Sequence, residues 1–301
     1  MRLAPLCLCI CGLMIICTAQ LSATPCRIPA DEIDVIRYDY IDSRAMGRRM
    51  PYVVQLPESF AAYNSEDPDA RRDFQPYPLV VVLHGWDADE CALLPALSGI
   101  ATWHGIVLLY PTMEGDGGWF NSPIRPDYRY EDMVMGEIVP HVLRNYPVHT
   151  DRARHAITGF SMGGQGALMY AIKHPHAFGA VGSISGILDI RLHAGKWGMH
   201  QMLGAALLDG RPNPVYTRYS ITAGFADALP AIQARSSLFI LIEAGRQDFA
   251  YADAQRFVEK LDALNVRYEA ELDHDGHHSF AYFQSRIHRH IERLVRAIQL
   301  D

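Results

Sequence analysis

Ser161 stands in Gly159-Phe160-Ser161-Met162-Gly163, with an apolar β-type run, "HAITG", before it and a helical pattern, "MGGQGALMYAIKH", after it. A serine on a sharp strand-to-helix turn has its hydroxyl lifted clear of a sheet, and small flanking residues let another chain segment come close. The hydroxyl is a poor nucleophile unless a neighbouring base takes its proton. Two later segments can supply the rest of a nucleophile-acid-base set in chain order. Asp248 follows the run "LFILIEAG" and would be presented at a strand's C-terminal end; Glu243 is the competing acid, but it lies inside the strand pattern. "DHDGHHSF" offers His277 as the base, because it follows Gly276 in a tight loop, with His278 the next candidate and His274 the third. A metal site built from the same histidines is the rival chemistry, but the spacing lacks the i, i+4 pairing of helical ligands, and the expectation is no metal and no cofactor. Acyl transfer further needs oxyanion donors. The Met162 N–H follows the nucleophile, and the Trp86 N–H ends the buried run "PLVVVLHGW", so both are expected to serve.

These groups must be positioned by strands. "VIRYDYID" and "MPYVVQLP" flank the Gly-containing "SRAMGRR" and predict a hairpin. "PLVVVLHG", "GIVLLYP", "RHAITGF", "GAVGSIS", "SLFILIEAG" and "RYEAELD" read as further strands, the apolar ones as centrally buried. Helical patterns lie between them at "YEDMVMGEIVPHVLRNY", "MGGQGALMYAIKH" and "YADAQRFVEKLDAL", and a last helix is expected over about 279–299. Strand-helix alternation throughout predicts one α/β domain over 34–301, a doubly wound, mostly parallel sheet with helices on both faces. Ligands in such sheets sit at the strands' C-terminal ends. Residues 187–236 are the least regular and read either as an insertion over the site or as a helical crossover.

The ends and the composition set the context. Arg2, the apolar "LCLCICGLMIIC" and small residues at Thr18, Ala19, Ser22 and Ala23 form a signal-peptide pattern over residues 1–23, cleaved after Ala19 or Ala23. A retained anchor is the other reading. Residues 24–33 then form an N-terminal tail, and the expected location is secreted or periplasmic. Four of the six cysteines lie in the leader; Cys26 and Cys91 remain, either bridged in an oxidising compartment or as two free thiols. The net charge of −7, without a basic cluster, argues against nucleic acid as a partner. The expected partner is a small-molecule or carbohydrate ester, with no stable membrane insertion after signal cleavage. Oligomeric state is not legible.

The chain resembles the esterase D-like family of α/β-hydrolases, which includes feruloyl and acetylxylan esterases, S-formylglutathione hydrolase and mycolyltransferases. The resemblance runs over about 36–294 and rests on "PLVVVLHGWD", "AITGFSMGGQGAL", "HPHAFGAVGSISG", "EAGRQD" and "DGHHSFAYF". It implies a single α/β-hydrolase domain with nucleophile Ser161, acid Asp248, base His277 and oxyanion amides at Met162 and Trp86. It further implies that "GGWFNSP" lines the pocket, so that Trp119 and Asn121 contact substrate. S-formylglutathione hydrolases carry a Cys-containing segment after the oxyanion glycine, where this chain has "GWDADE". An exported serine esterase acting on carbohydrate-linked acyl, feruloyl or acetyl esters, or on another small acyl ester, fits best. An acyltransferase, an S-formylglutathione hydrolase-like thioesterase and a silent binding protein on the same scaffold are the alternatives.

Overall fold

The computed structural model describes residues 26, 33–63, 74–234 and 238–299. The leader and most of the N-terminal tail lie outside the described residues. Strands β1 (Val35–Ser43) and β2 (Arg48–Leu56) form the expected antiparallel hairpin at one edge of the sheet. Six more strands complete it: β3 (Leu79–Leu83), β4 (Val107–Pro111), β5 (His155–Gly159), β6 (Ala180–Ile184), β9 (Phe239–Glu243) and β10 (Glu269–Glu271). Their spatial order is β1-β2-β4-β3-β5-β6-β9-β10, parallel from β4 onward. A small separate hairpin, β7 (Leu207–Leu208) with β8 (Arg211–Pro212), lies within the irregular stretch.

The continuous apolar runs of β3, β4 and β5 are fully buried, because each strand offers alternate side chains to helices on opposite faces. On one face Leu79, Val81 and Leu83 join the larger core, which packs under helices α1 (Val139–Asn145), α2 (Met162–Lys173), α3 (Ile221–Gln233) and α4 (Tyr251–Ala263). On the other, Val80 and Val82 meet α5 (Phe280–Gln299), which buries Ile287, Ile291, Leu294 and Val295. The segment before α1 departs from the expected single α-helix: Asp132–Ile138 is wound as a π-helix. The stretch 187–236 combines both sequence readings. Helix α3 is an ordinary crossover, whereas the residues around Trp197 reach the cleft described below.

Cys26 and Cys91 are bridged, with Cα atoms 5.4 Å apart and a sequence separation of 65. The tail is thereby tied to the turn that follows β3.

Candidate active site

Helix α2 starts immediately after β5, and the turn between them is Phe160-Ser161. Ser161 has φ 54° and ψ −120°, a conformation that a side-chain-bearing residue adopts only when its surroundings enforce it. Here the Ser161 N–H donates to the Ile184 carbonyl at 2.9 Å, and the Gly163 N–H donates to Phe160 at 2.8 Å. Glycine is required on both sides. A Cβ on Gly159 would come 2.4 Å from the Leu83 carbonyl oxygen, and one on Gly163 would come 2.0 Å from the same atom. Backbone of β3 therefore runs directly against the turn.

Two loops, one after β9 and one after β10, meet Ser161 at the C-terminal edge of the parallel strands. Asp248 lies beyond β9, nearly buried, and its Oδ1 accepts the Ala250 N–H at 2.8 Å. The imidazole that meets it is that of His278: Nδ1 is 2.8 Å from Asp248 Oδ1, and Nε2 is 2.9 Å from Ser161 Oγ. With Asp248 as acceptor, the ring carries its proton on Nδ1 and turns the Nε2 lone pair to the serine hydroxyl. Such an arrangement can draw the proton off Ser161 and return it to a leaving group.

The expected base, His277, is corrected to its neighbour. The acid loop and the histidine loop are zipped together: Arg246 N–H to His274 O at 2.9 Å, Gln247 N–H to Gly276 O at 3.1 Å, and Gly276 N–H to Gln247 Oε1 at 2.8 Å. Gly276 presses on Gly245, whose Cβ would meet it at 2.5 Å. Glycine here serves close approach of two backbones; it does not launch the next side chain inward. Neighbouring residues of an irregular extended chain face opposite ways. His277 accordingly leaves into solvent and His278 turns in. His274 goes elsewhere again, its Nε2 2.7 Å from the Tyr282 hydroxyl. The three histidines thus diverge, and among the described residues no group of three His, Cys, Asp or Glu side chains gathers as metal ligands. Glu243 is structural: it is buried, bonded to His290 Nδ1 at 3.0 Å and paired with Arg286. Burial alone would raise its pKa, but the His290 hydrogen bond and charge, together with Arg286, outweigh that and hold it below the ordinary glutamate value.

The loop after β3 reaches the nucleophile at Gly85, where a Cβ would lie 3.2 Å from Ser161 Cβ. His84 fixes that loop. Its Nε2 accepts the Met113 N–H at 2.9 Å, so Nδ1 bears the proton and donates to the Gly85 carbonyl at 2.8 Å. Burial lowers the pKa of His84 and keeps the ring neutral, as this bonding requires. In a trans peptide the N–H points away from its own carbonyl, so anchoring the Gly85 carbonyl directs the Trp86 N–H to the opposite side.

Trp119 and Asn121 do not take the expected pocket role. Trp119 is fully buried; its indole N–H donates to the His84 carbonyl at 2.9 Å, and its ring stem occupies the space a Gly166 side chain would need. It wedges the loop after β3 against α2. The Asn121 amide is consumed by Asp132, giving to Oδ1 at 2.7 Å and accepting its N–H at 3.2 Å.

The cleft over Ser161 has a volume of about 630 Å³ and a largely aromatic lining that includes Trp86, Trp197, Phe249 and Phe280. Trp86 and Phe249 expose 42% and 46% of their surface. Phe249 lies against the His278 ring, centroids 4.1 Å apart. Phe249 and Trp197 escape sequence reasoning. The one signal for Phe249 is its place next to Asp248; Trp197, between Gly195 and Gly198, shows only an interrupted periodicity.

Residues 121–294 match the family described as "Putative esterase". A protein of Mycobacterium tuberculosis named as an esterase is 28% identical over 154 residues, which is 49% of this chain and 34% of that protein. The S-formylglutathione hydrolase of Mus musculus is 27% identical over 184 residues, 59% of this chain and 61% of the relative. The chain thus spans about a third of the first relative and about three fifths of the second. Among solved structures, a fluorophosphonate-binding serine hydrolase F of Staphylococcus aureus superposes with a TM-score of 0.73 at 22% identity, covering 87% of this chain and 98% of the other. A ferulic acid esterase superposes with a TM-score of 0.68 at 20% identity, covering 89% and 100%. These superpositions assign the α/β-hydrolase fold.

Proposed function

The chain belongs to the esterase family, and on that premise we propose that it is a serine carboxylic-ester hydrolase with Ser161 as nucleophile, His278 as base and Asp248 as the group that orients His278. The observation that carries this reading is the strained Ser161 backbone with Oγ 2.9 Å from an imidazole whose other nitrogen is held by a buried carboxylate. Ser161 attacks the ester carbonyl while His278 takes its proton. The C–O bond to the alcohol then breaks and His278 returns the proton to the departing oxygen. A water molecule, deprotonated by the same imidazole, releases the acid from the acyl-enzyme. Asp248 holds the Nδ1–H tautomer and balances the imidazolium. The Met162 and Trp86 amides receive the oxyanion; neither spends its proton on another described group. One such donor is worth about 3–4 kcal/mol of transition-state stabilisation.

The aromatic lining favours an ester with a planar or ring-bearing portion, such as a hydroxycinnamoyl ester or an ester on a sugar, in keeping with the ferulic acid esterase among the structural neighbours. Export of the mature domain, residues 34–301, is supported by the leader pattern and by the Cys26–Cys91 bridge, which an oxidising compartment sustains. The test is a fluorophosphonate probe on the purified protein, with Ser161→Ala beside it. Labelling at Ser161 that vanishes in the variant is the expected result; an unlabelled but folded wild type overturns the mechanism. Methyl ferulate, acetyl-xylan and S-formylglutathione then sort the substrate, and product analysis with an added alcohol separates hydrolysis from acyl transfer.

A further inference from the structure

A second His–Asp pair lies behind the cleft wall, and the mechanism does not use it. His193, at the end of the turn Ile190–His193, is buried, with Nε2 3.0 Å from Asp253 Oδ2. Asp253 stands in the first turn of α4, just beyond Asp248 and Phe249, and is itself 1% exposed. It accepts little else: the Asp189 N–H and Arg256 Nη1 both stand at 3.4 Å. His193 Nδ1 is buried without a hydrogen-bond partner among the described residues, so the Asp253 bond is the ring's one hydrogen-bond anchor there.

That ring supports the wall. Its centroid is 5.5 Å from the ring of Trp197 and 5.9 Å from that of Phe249, and those two stack on one another at 5.8 Å with planes 25° apart. Phe249 in turn lies on His278. Trp197 does not reach this place at rest. Its φ is 49°, between Gly195 at 89° and Gly198 at 66°, and its carbonyl is held by the Gly117 N–H at 2.8 Å. A bulky residue in the left-handed region is strained, and the strain persists only where neighbours over-determine it.

We propose that His193 and Asp253 are positioning residues that hold the Trp197–Phe249 wall at the width a planar acyl group requires, and that this wall selects aromatic over small acyl esters. The inference rests on the hydrolase reading above. Without the link, the turn that carries His193 keeps only the long Asp189 N–H contact to Asp253 in α4, Trp197 relaxes and the ring-stacking face is lost, while Ser161, His278 and the oxyanion amides keep their own supports.

The experiment compares methyl cinnamate with methyl acetate, which share an alcohol, on wild type, His193→Ala and His193→Gln, by pH-stat titration with thermal melts alongside. Wild type is expected to prefer the cinnamate. His193→Ala should raise KM for methyl cinnamate about tenfold relative to methyl acetate, the order expected of one lost aromatic contact, with the ratio of the two kcat values kept. His193→Gln, which can still donate to Asp253, should restore most of it. Trp197→Leu supplies the same readout should His193→Ala fail to fold. Equal losses on both esters, an unchanged KM ratio in the folded variants, or a wild type indifferent to the acyl group overturns the proposal. A wild type that takes no fluorophosphonate label instead fails the hydrolase reading, a result separate from these.

Discussion

Replacing His278 and His277 in turn by alanine separates two adjacent residues that sequence alone does not distinguish. His278 makes hydrogen bonds of 2.9 Å to Ser161 and 2.8 Å to Asp248; His277 is solvent-exposed. Loss of the base from a serine triad lowers kcat by about 10⁵–10⁶-fold, on the order of 7–8 kcal/mol of barrier. A stability cost follows as well. The Asp248 side chain is wholly buried and its Oδ2 has no hydrogen-bond partner among the described residues, so without the imidazole the carboxylate keeps, among those residues, the Ala250 N–H. An under-satisfied buried acceptor costs about 1–3 kcal/mol, so the melting temperature of His278→Ala should fall by several degrees. His277→Ala should keep kcat within about twofold and its melt within about 0.5 kcal/mol, as surface substitutions do. The assay is kcat for an aryl acetate by stopped time points, with calorimetry on the same samples. A His277→Ala enzyme that loses three or more decades while His278→Ala retains activity would refute both the geometry and the reasoning that Gly276 turns the next residue outward.

Three further outcomes are expected. Converting Cys26 and Cys91 together to serine should cost about 4 kcal/mol by the loop-closure entropy of a 65-residue separation, read by urea unfolding; a loss below about 1 kcal/mol would show that the tail contributes no constraint. Gly163→Ala forces a Cβ against the Leu83 and His84 carbonyls, so it should destabilise by about 3 kcal/mol and lower kcat about 10²-fold through displacement of Ser161, whereas Gly224→Ala, in an open helical position, should stabilise by about 0.5–1 kcal/mol; comparable melts for the two would contradict the close approach of β3 and α2. Acid should unfold the protein partly through Glu243. Its folded pKa lies below the ordinary 4.5, so its contribution is complete above that value and is lost as pH falls through the depressed one; Glu243→Gln should flatten the stability-pH curve in that window.

Ser161 is legible in the sequence because a strand, a glycine-flanked serine and a helix leave few other folds for that turn. Asp248 is legible because it lies in the loop beyond β9, at the site edge, whereas Glu243, the last residue of β9, turns to His290. The imidazole that meets Ser161 lies one residue beyond the expected one for a physical reason: a glycine in a loop permits either a sharp turn or a close backbone contact, and which one holds depends on Gly245, about 30 residues earlier in the chain. Trp119 misleads in a similar way. The family resemblance implies a pocket residue, yet the glycine that makes room for it, Gly166, lies in the next structural layer. The edge hairpin and the parallel core follow directly from periodicity, whereas the π-helical winding of Asp132–Ile138 leaves no such mark. Trp197 packs on His193, four residues earlier, but its place in the cleft is shared with Phe249 and with the Gly117 N–H that holds its carbonyl, and no local pattern encodes those distant contacts.

The Trp119 wedge has a consequence for how the proposed oxyanion site works. One indole spans the His84 carbonyl and the surface of α2, and His84 in turn fixes the Gly85 carbonyl through a neutral ring. The dipoles that meet the developing charge are therefore oriented while the chain folds, before any ester arrives. Solvent-like reorganisation, which a loosely held loop would undergo at each turnover, is completed once per molecule. A substrate entering this cleft finds the polarity of the transition state already in place.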